Sequence, residues 1–203
     1  MKYPPNFLLI LVVSTGLLLA GCDSGGTSGS GGTLAVKLTD APGDIVQAEV
    51  TIEQVAAVPT EDTSEGDATE GGTSILTDSS FTVDLTTLQG GVTELLGEVQ
   101  LAPGTYSQIR LKTARQASVM YEDTTGTAKE ADLMLPSAKE TGVKINFEPV
   151  TLDSENDRAE VTLDFSVEDS FVKAGQTGTY LFKPVVAAEA VVVNGDTTAT
   201  GDR

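Results

Sequence analysis

Residues 99–112, VQLAPGTYSQIRLK, decide the fold, because they combine a tight turn with the most regular strand in the middle of the chain. Pro103 and Gly104 are residues that favour a turn. The residues after the turn alternate, with Ser107, Ile109 and Leu111 on one side of the strand and Gln108, Arg110 and Lys112 on the other. A period of two predicts a strand with one face in a core and one face in water.

Other segments are also predicted to be strands, and all but 131–135 and 179–193 show the same alternation. They are residues 34–39, 46–53, 81–86, 131–135, 143–148, 161–168 and 179–193. The last of them contains Pro184, which favours a sheet edge or a bulge at that point. Helical spacing of apolar residues between 87 and 97 predicts one short helix that ends at Gly97. We therefore expect an all-β fold, an antiparallel β-sandwich of the immunoglobulin or transthyretin-like kind with about eight strands.

Charge limits the partners that the protein can have. The 203 residues include 30 Asp and Glu against 12 Lys and Arg, with no His, for a formal net charge of −18. A surface of this sign repels phosphate backbones, so we expect no nucleic-acid binding. Two explanations of the acidity need no binding site, because an acidic surface keeps a protein soluble and a halophilic source would select for the same composition.

The N-terminus resembles a bacterial lipoprotein signal. An apolar run over residues 7–19 follows Lys2, and its length is short for a membrane span but suits a signal peptide. It leads into Leu19-Ala20-Gly21-Cys22, which resembles a lipobox and contains the single cysteine of the chain. This predicts cleavage between Gly21 and Cys22 and lipidation of Cys22. The alternative is an ordinary secretory signal with a chance cysteine, although a lone thiol is unusual in a secreted protein.

These features divide the chain into four parts. We expect a signal peptide at 1–21, a lipidated cysteine with a flexible Gly/Ser tether at 22–32, a β-sandwich domain at 33–193 and a disordered tail at 194–203. The ten residues after Cys22 would span about 17 Å as a flexible coil. The expected location is the bacterial cell envelope, bound to a membrane through the lipid. The outer membrane or cell surface is favoured over the inner membrane, although Asp23 resembles an inner-membrane retention signal.

Six ordered segments resemble the bacterial lipoprotein family catalogued as domain of unknown function 4382. They are residues 32–42 (GTLAVKLTDAP), 84–85 with 88–92 (LQGGV), 101–106 (LAPGTY) with 109–111, 136–137 with 141–144 (TGVK), 163–165 (LDF) with Ser170, and 180–184 (YLFKP). The resemblance implies an exported, lipid-anchored domain without an assigned activity. The Pro-Gly-x-Tyr turn also resembles that of transthyretin-like and collagen-adhesin modules. The acidic stretch 59–72 departs from the family, so its role is open.

The residue inventory argues against catalysis. Without His, the chain can form neither Ser–His–Asp nor Cys–His arrangements, nor the usual zinc sites. Carboxylates are plentiful but no pair is marked over another, so we expect a protein that is not an enzyme. A carboxylate-dependent glycan hydrolase is the alternative, since such enzymes need only two acids.

Calcium is the cofactor that the sequence leaves open. Asp153, Glu155 and Asp157 alternate in a predicted loop, and residues 61–70 hold five further acids. Oxygen ligands in loops suit Ca²⁺. Arg158, however, stands where the calcium-loop pattern requires glycine. The alternatives are no cofactor, with these acids as solvated loop charge, or a calcium-stabilised surface binding or adhesion module.

Tyr106, Gln108 and Arg110 share one side of the predicted central strand. They form either a ligand patch or a surface that faces the second half of the chain. The function expected overall is a non-catalytic, lipid-anchored envelope domain for binding or structural duty. Its partner would be an envelope protein or a glycan.

Overall fold

The computed structural model describes residues 31–40, 45–60, 72–134, 142–175 and 178–200. These residues form strands, one helical turn α1 (Val167–Ser170) and one 3-10 turn (Leu85–Leu88). The strands in chain order are β1 (Thr33–Thr39), β2 (Gln47–Pro59), β3 (Ser74–Thr77), β4 (Phe81–Asp84), β5 (Glu94–Gln100), β6 (Gly104–Glu122), β7 (Ala128–Glu130), β8 (Asp132–Met134), β9 (Val143–Leu152), β10 (Arg158–Phe165), β11 (Phe171–Lys173), β12 (Thr179–Phe182), β13 (Val186–Val193) and β14 (Asp196–Thr200). The predicted all-β sandwich is confirmed, with more strands than the eight expected.

Two large sheets pack face to face around one apolar core. The first has the order β14-β13-β10-β1-β5, and the second has β3-β2-β6-β7 with β4 on β2 and β9 on β6. Alternate residues of β1 and β10 point into the core, and Val36, Val161 and Leu163 are each 0% exposed. A small third sheet, β11-β12-β8, adds Phe171 and Phe182, which stack 4.8 Å apart. Most pairs are antiparallel, but β1 pairs with β10, and β12 with β8, in parallel.

Three local predictions are wrong, each for a local reason. The predicted helix over 87–97 comprises the end of the 3-10 turn, a loop and the start of β5, because Gly90 and Gly91 take φ values of 71° and 88°, which no α-helix accepts. The predicted strand 179–193 is split at Pro184 into β12 and β13, which belong to different sheets. Residues 196–200 of the predicted disordered tail form β14, because Asn194 and Gly195 make a tight hairpin turn with positive φ.

The sandwich has two ends, which the parallel and antiparallel registers define. The end where β1 begins, called here the tether end, comprises residues 31–33, the turn 101–104, the loop 153–157 and the turn 194–195. The end where β1 finishes, called here the far end, comprises residues 39–40, 45–46, 84–92, 166–172 and 183–185. The seven residues of β1 separate them by about 20 Å. Within the described ranges, no helix is sufficiently long and apolar to cross a membrane.

Candidate functional site

Tyr106 is part of the core and does not line an open patch. Its side chain is 3% exposed, and its hydroxyl donates a hydrogen bond to the carbonyl of Ala102 at 3.0 Å. This contact four residues upstream resembles the tyrosine corner of β-sandwiches. Burial raises the pKa of Tyr106, against a smaller lowering by the hydrogen bond with Ser74. The Pro-Gly-x-Tyr segment therefore fixes the start of β6.

Gln108 and Arg110 are also buried, at 4% and 8% exposure. The Arg110 Nε donates to Gln108 Oε1 at 3.1 Å, and Gln108 Nε2 donates to Asn146 Oδ1 at 2.9 Å. On the neighbouring strand β2, Ala56 and Val58 pair with these two residues and are buried as well. Both faces of β6 are covered here, so Tyr106, Gln108 and Arg110 do not form an exposed patch. The alternative, a surface that faces the rest of the chain, agrees with this burial.

The acids of the predicted calcium loop are not arranged as metal ligands. Asp157 Oδ2 accepts hydrogen bonds from the backbone N–H groups of Asp153 and Ser154 at 3.0 and 2.9 Å. This carboxylate therefore closes its own loop. Across the described part of the chain, no group of three or more Asp, Glu, Cys or His side chains is placed to hold a metal ion. The other acidic candidates, at 61–70, and the predicted cleavage and lipidation site at Gly21 and Cys22 lie outside the described residues.

At the tether end, the chain passes through a slot that admits glycine alone. A Cβ on Gly31 would lie 2.6 Å from the Ala102 carbonyl carbon, and one on Gly32 would lie 2.5 Å from the Asp157 carbonyl oxygen. Backbone hydrogen bonds join this segment to the loop on each side of it. Leu101 N–H donates to Gly32 O at 2.9 Å, and Thr33 N–H donates to Asp157 O at 2.8 Å. The first described residues are thus held tightly between two loops.

At the far end, the side chains of Thr39, the last residue of β1, and of Asp40 link β1 to two other segments. The Thr39 hydroxyl lies 3.0 Å from the carbonyl oxygens of both Leu88 and Val92. Asp40 is 3% exposed, and its carboxylate accepts hydrogen bonds from Val167 N–H at 3.1 Å and Gln89 Nε2 at 3.4 Å. The end of β1 is fixed by polar side chains.

A second buried polar residue at the far end is Ser170, with 0% exposure. Its hydroxyl accepts a hydrogen bond from Val185 N–H at 2.8 Å, and its carbonyl accepts one from Lys183 N–H at 2.8 Å. These bonds bracket Pro184, which has no N–H to donate. Ser170 therefore fixes the chain where it leaves the small sheet and joins the large one.

Large apolar side chains are exposed around these polar contacts. Those at the far end are Val46, Val92, Val172 and Val185, with exposures of 45%, 52%, 49% and 37%. Val92 and Val185 border the Thr39 and Ser170 contacts directly. Four of the six large apolar side chains that are exposed in the described residues lie at this end, and apolar surface rimmed by polar residues marks interaction sites. The far end is therefore the candidate functional site.

Sequence reasoning did not single out Asp40, Thr39 or Ser170 as site residues. All three stand in segments that carry the family resemblance, but Pro42 and Gly43 shortly after Asp40 favour a turn there, with no sign of a buried contact. The sequence alone carried no signal for them, because what marks these residues is that four of the six segments converge in space. Residues 39–40, 84–92, 163–170 and 180–184 meet at the far end, and only the topology shows this.

Comparison with known proteins places the chain in a family. No match was found among curated proteins. A family model matches residues 31–184, which is most of the chain and includes β1 to β12. The chain therefore belongs to the family described as a domain of unknown function (DUF4382).

Proposed function

We propose that the protein is a lipid-anchored domain of the bacterial envelope that binds a partner through its far end and has no catalytic role. The observation that carries this proposal is the placement of its two ends. The chain from the predicted lipidation site joins the fold at Gly31 and Gly32, whereas the exposed valines and the Thr39, Asp40 and Ser170 contacts lie at the opposite end. An anchor at one end leaves the other free to reach a partner.

The anchor itself would be formed by Cys22. Lipidation there supplies the membrane attachment, since two or more acyl chains hold a protein stably at a bilayer. The ten residues between Cys22 and Thr33 would let the domain stand within about 17 Å of the lipid surface. The outer membrane or the cell surface is the proposed location, and an envelope protein or a glycan the proposed partner. No nucleic acid is proposed, because of the charge of −18.

Fractionation of cells tests the anchor. The wild-type protein should sediment with membranes and enter the detergent phase on Triton X-114 partitioning, and Cys22→Ala should move it to the soluble fraction. Ser24→Ala, in the same tether, is the matched control and should leave the partitioning unchanged. Mass spectrometry of the purified protein should find an acylated N-terminal Cys22. Continued membrane partitioning of Cys22→Ala would refute the anchor.

Site-specific crosslinking tests which end binds. A photoreactive residue at Val92, at the far end, should give discrete crosslinked adducts in intact cells. The same residue at Thr151, which is exposed near the tether end, is the matched control and should give few or none. Equal adduct yields at the two positions would count against far-end binding.

A further inference from the structure

β1 is the strand that would carry a load if the chain were held by its N-terminus. It lies inside the first sheet, between β10 and β5, and does not form an edge. The parallel ladder with β10 runs from Thr33 opposite Arg158 to Thr39 opposite Asp164. The antiparallel ladder with β5 covers nearly the same residues. Hydrogen bonds therefore hold the strand on both sides over its whole length.

Tension applied through the tether would act along this strand. Residues 31–32 precede β1 directly, and the slot between the loops 101–104 and 153–157 fixes where they leave the fold. Ladder hydrogen bonds run across the strands, perpendicular in the antiparallel β1–β5 pair and slanted in the parallel β1–β10 pair. A pull along β1 therefore loads the bonds of both ladders together, in shear, whereas a pull across a ladder from one end of a strand breaks its bonds one after another.

The far end of β1 resists the same movement. To slide toward the tether, β1 would have to break the contacts of Thr39 with Leu88 and Val92 and the hydrogen bond from Val167 to Asp40. It would also withdraw Leu34, Val36 and Leu38 from the core, where each is at most 1% exposed. The two ladders, the core side chains and the Thr39 and Asp40 contacts therefore share the load along one line.

We propose that β1 gives this domain a mechanical function, the transmission of tension from the N-terminal anchor to a partner bound at the far end. The source of the tension rests on the proposed lipid anchor and partner. The resistance belongs to the fold itself. Thr39 and Asp40 act in it as positioning residues that keep β1 in register under load.

Single-molecule pulling of the full chain tests the proposal. The full chain is made by cell-free synthesis, so that Cys22 keeps a free thiol and serves as one attachment point. Val172→Cys, at an exposed position of the far end, supplies the other. The comparison geometry attaches Val172→Cys and Arg203→Cys in a Cys22→Ala background, which pulls on the edge strand β14. At equal force the Cys22 geometry should survive at least about tenfold longer, because forced unfolding depends on the unfolding rate. Equal lifetimes would overturn the proposal.

Variants separate a mechanical role from a general loss of stability. Asp40→Asn and Thr39→Val should shorten the lifetime at constant force about tenfold in the Cys22 geometry and less than about threefold in the β14 geometry. Thr51→Val is the matched control, because its hydroxyl bonds to Thr82 at 2.9 Å on the other sheet. It should change neither lifetime by more than about twofold. Equal shortening in both geometries would overturn the proposal and leave Thr39 and Asp40 as ordinary stabilising residues.

The two proposals fail separately. If Cys22→Ala stays with the membrane but the pulling asymmetry is present, the lipid anchor is refuted, while the mechanical property of β1 stands and its biological load must come from elsewhere. If the variant is released from membranes but the asymmetry is absent, the anchor stands and the mechanical function is refuted.

Discussion

The two ends of β1 are fixed by opposite means. Where the strand begins, Gly31 and Gly32 contribute backbone groups alone, in a slot with no room for a side chain. Where it finishes, the side chains of Thr39 and Asp40 make the contacts. The fold should therefore lose stability at the tether end when a side chain is added, and at the far end when side-chain atoms are removed. The difference shows that one strand can be held by steric fit and by polar chemistry at once.

The largest expected effect is at the slot. Gly32→Ala should destabilise the domain by about 3 kcal/mol, because its Cβ would overlap the backbone of Asp157 and the β9–β10 loop would have to move. Urea unfolding followed by far-UV circular dichroism measures the change. The parallel β1–β10 ladder begins at this point, so the loss should appear as a lower midpoint with an unchanged slope.

The matched control is a glycine at the other end. Gly91 has open space around its Cβ position but a φ of 88°. Gly91→Ala should cost about 1–2 kcal/mol for the left-handed backbone, and Gly91→Asn less, because Asn tolerates that conformation. At Gly32 an Asn should be no better than Ala. If Asn rescued both positions equally, steric exclusion at the tether end would be wrong.

Removal of atoms should matter most at Asp40. Asp40→Ala should cost about 2–3 kcal/mol, because the Val167 N–H and the Gln89 amide would lose their acceptor in a buried place. Asp40→Asn keeps one oxygen for Val167 but presents N–H groups toward Gln89, so it should fall between wild type and Asp40→Ala. The same urea titration orders the three proteins. An Asp40→Ala protein as stable as wild type would show that side chains do not hold this end.

Alternation along the chain predicted the sandwich, because a strand that is buried on one face has an apolar residue at every second position. β10 is the plainest case, with Val161, Leu163 and Phe165 buried as expected. No sequence pattern indicated that β1 lies between β5 and β10. Its neighbours lie more than 50 residues away in the chain, and a period of two says which face is buried but not which strand is adjacent.

Sheet changes and turns explain most of the errors. Pro184 was read as an edge or a bulge within one strand, whereas the chain crosses there between two sheets under the control of Ser170, which is distant in sequence. The β13–β14 hairpin did have a local signal, since Asn-Gly after a run of valines is a strong indicator of a tight turn. Residues 196–200, however, contain no large apolar side chain, so no alternation indicates a strand there. The burial of Gln108 and Arg110, which hydrogen bond to each other and on to the exposed Asn146, had no such signal, because alternation assigns polar residues to water.

Tyr106 offers a smaller test at the tether end. Tyr106→Phe should cost about 1 kcal/mol at pH 7, because the hydrogen bond to the Ala102 carbonyl is lost while the ring is kept. Burial raises the pKa of Tyr106 above its usual value of about 10. As the pH rises past that value the unfolded chain releases the proton first, so wild-type stability should fall.

The pH dependence provides the control for Tyr106. The phenylalanine variant lacks this titration, so the stability gap between it and wild type should narrow above about pH 10. Tyr180, whose pKa burial also raises, titrates in both proteins and cancels from the difference. A gap that stayed constant to high pH would mean that Tyr106 keeps its proton equally well in the folded and unfolded chains.

The smallest expected effect is at the β6–β7 hairpin, beyond the far end, where the partly buried Asp123 is held by backbone donors and by Lys129, whose side chain is 54% exposed. Lys129 lies 2.7 Å from its carboxylate, and the N–H groups of Thr125 and Thr127 donate to it at 2.8 and 3.1 Å. The bond to Lys129, followed by those to Thr125 and Thr127, lowers the pKa of Asp123 well below its usual range. The unfolded chain therefore binds the proton first as the pH falls below about 3.9, so the stability that Asp123 contributes is present at neutral pH and lost in acid.

Asp123→Asn should be slightly less stable than wild type at pH 7, and the difference in unfolding free energy between the two proteins should close in urea titrations below pH 3. Lys129→Gln should remove part of the same acid dependence. Since exposed ion pairs contribute little, a gap at Asp123 as large as that at Asp40 would contradict the distinction between a buried polar contact and a solvated one.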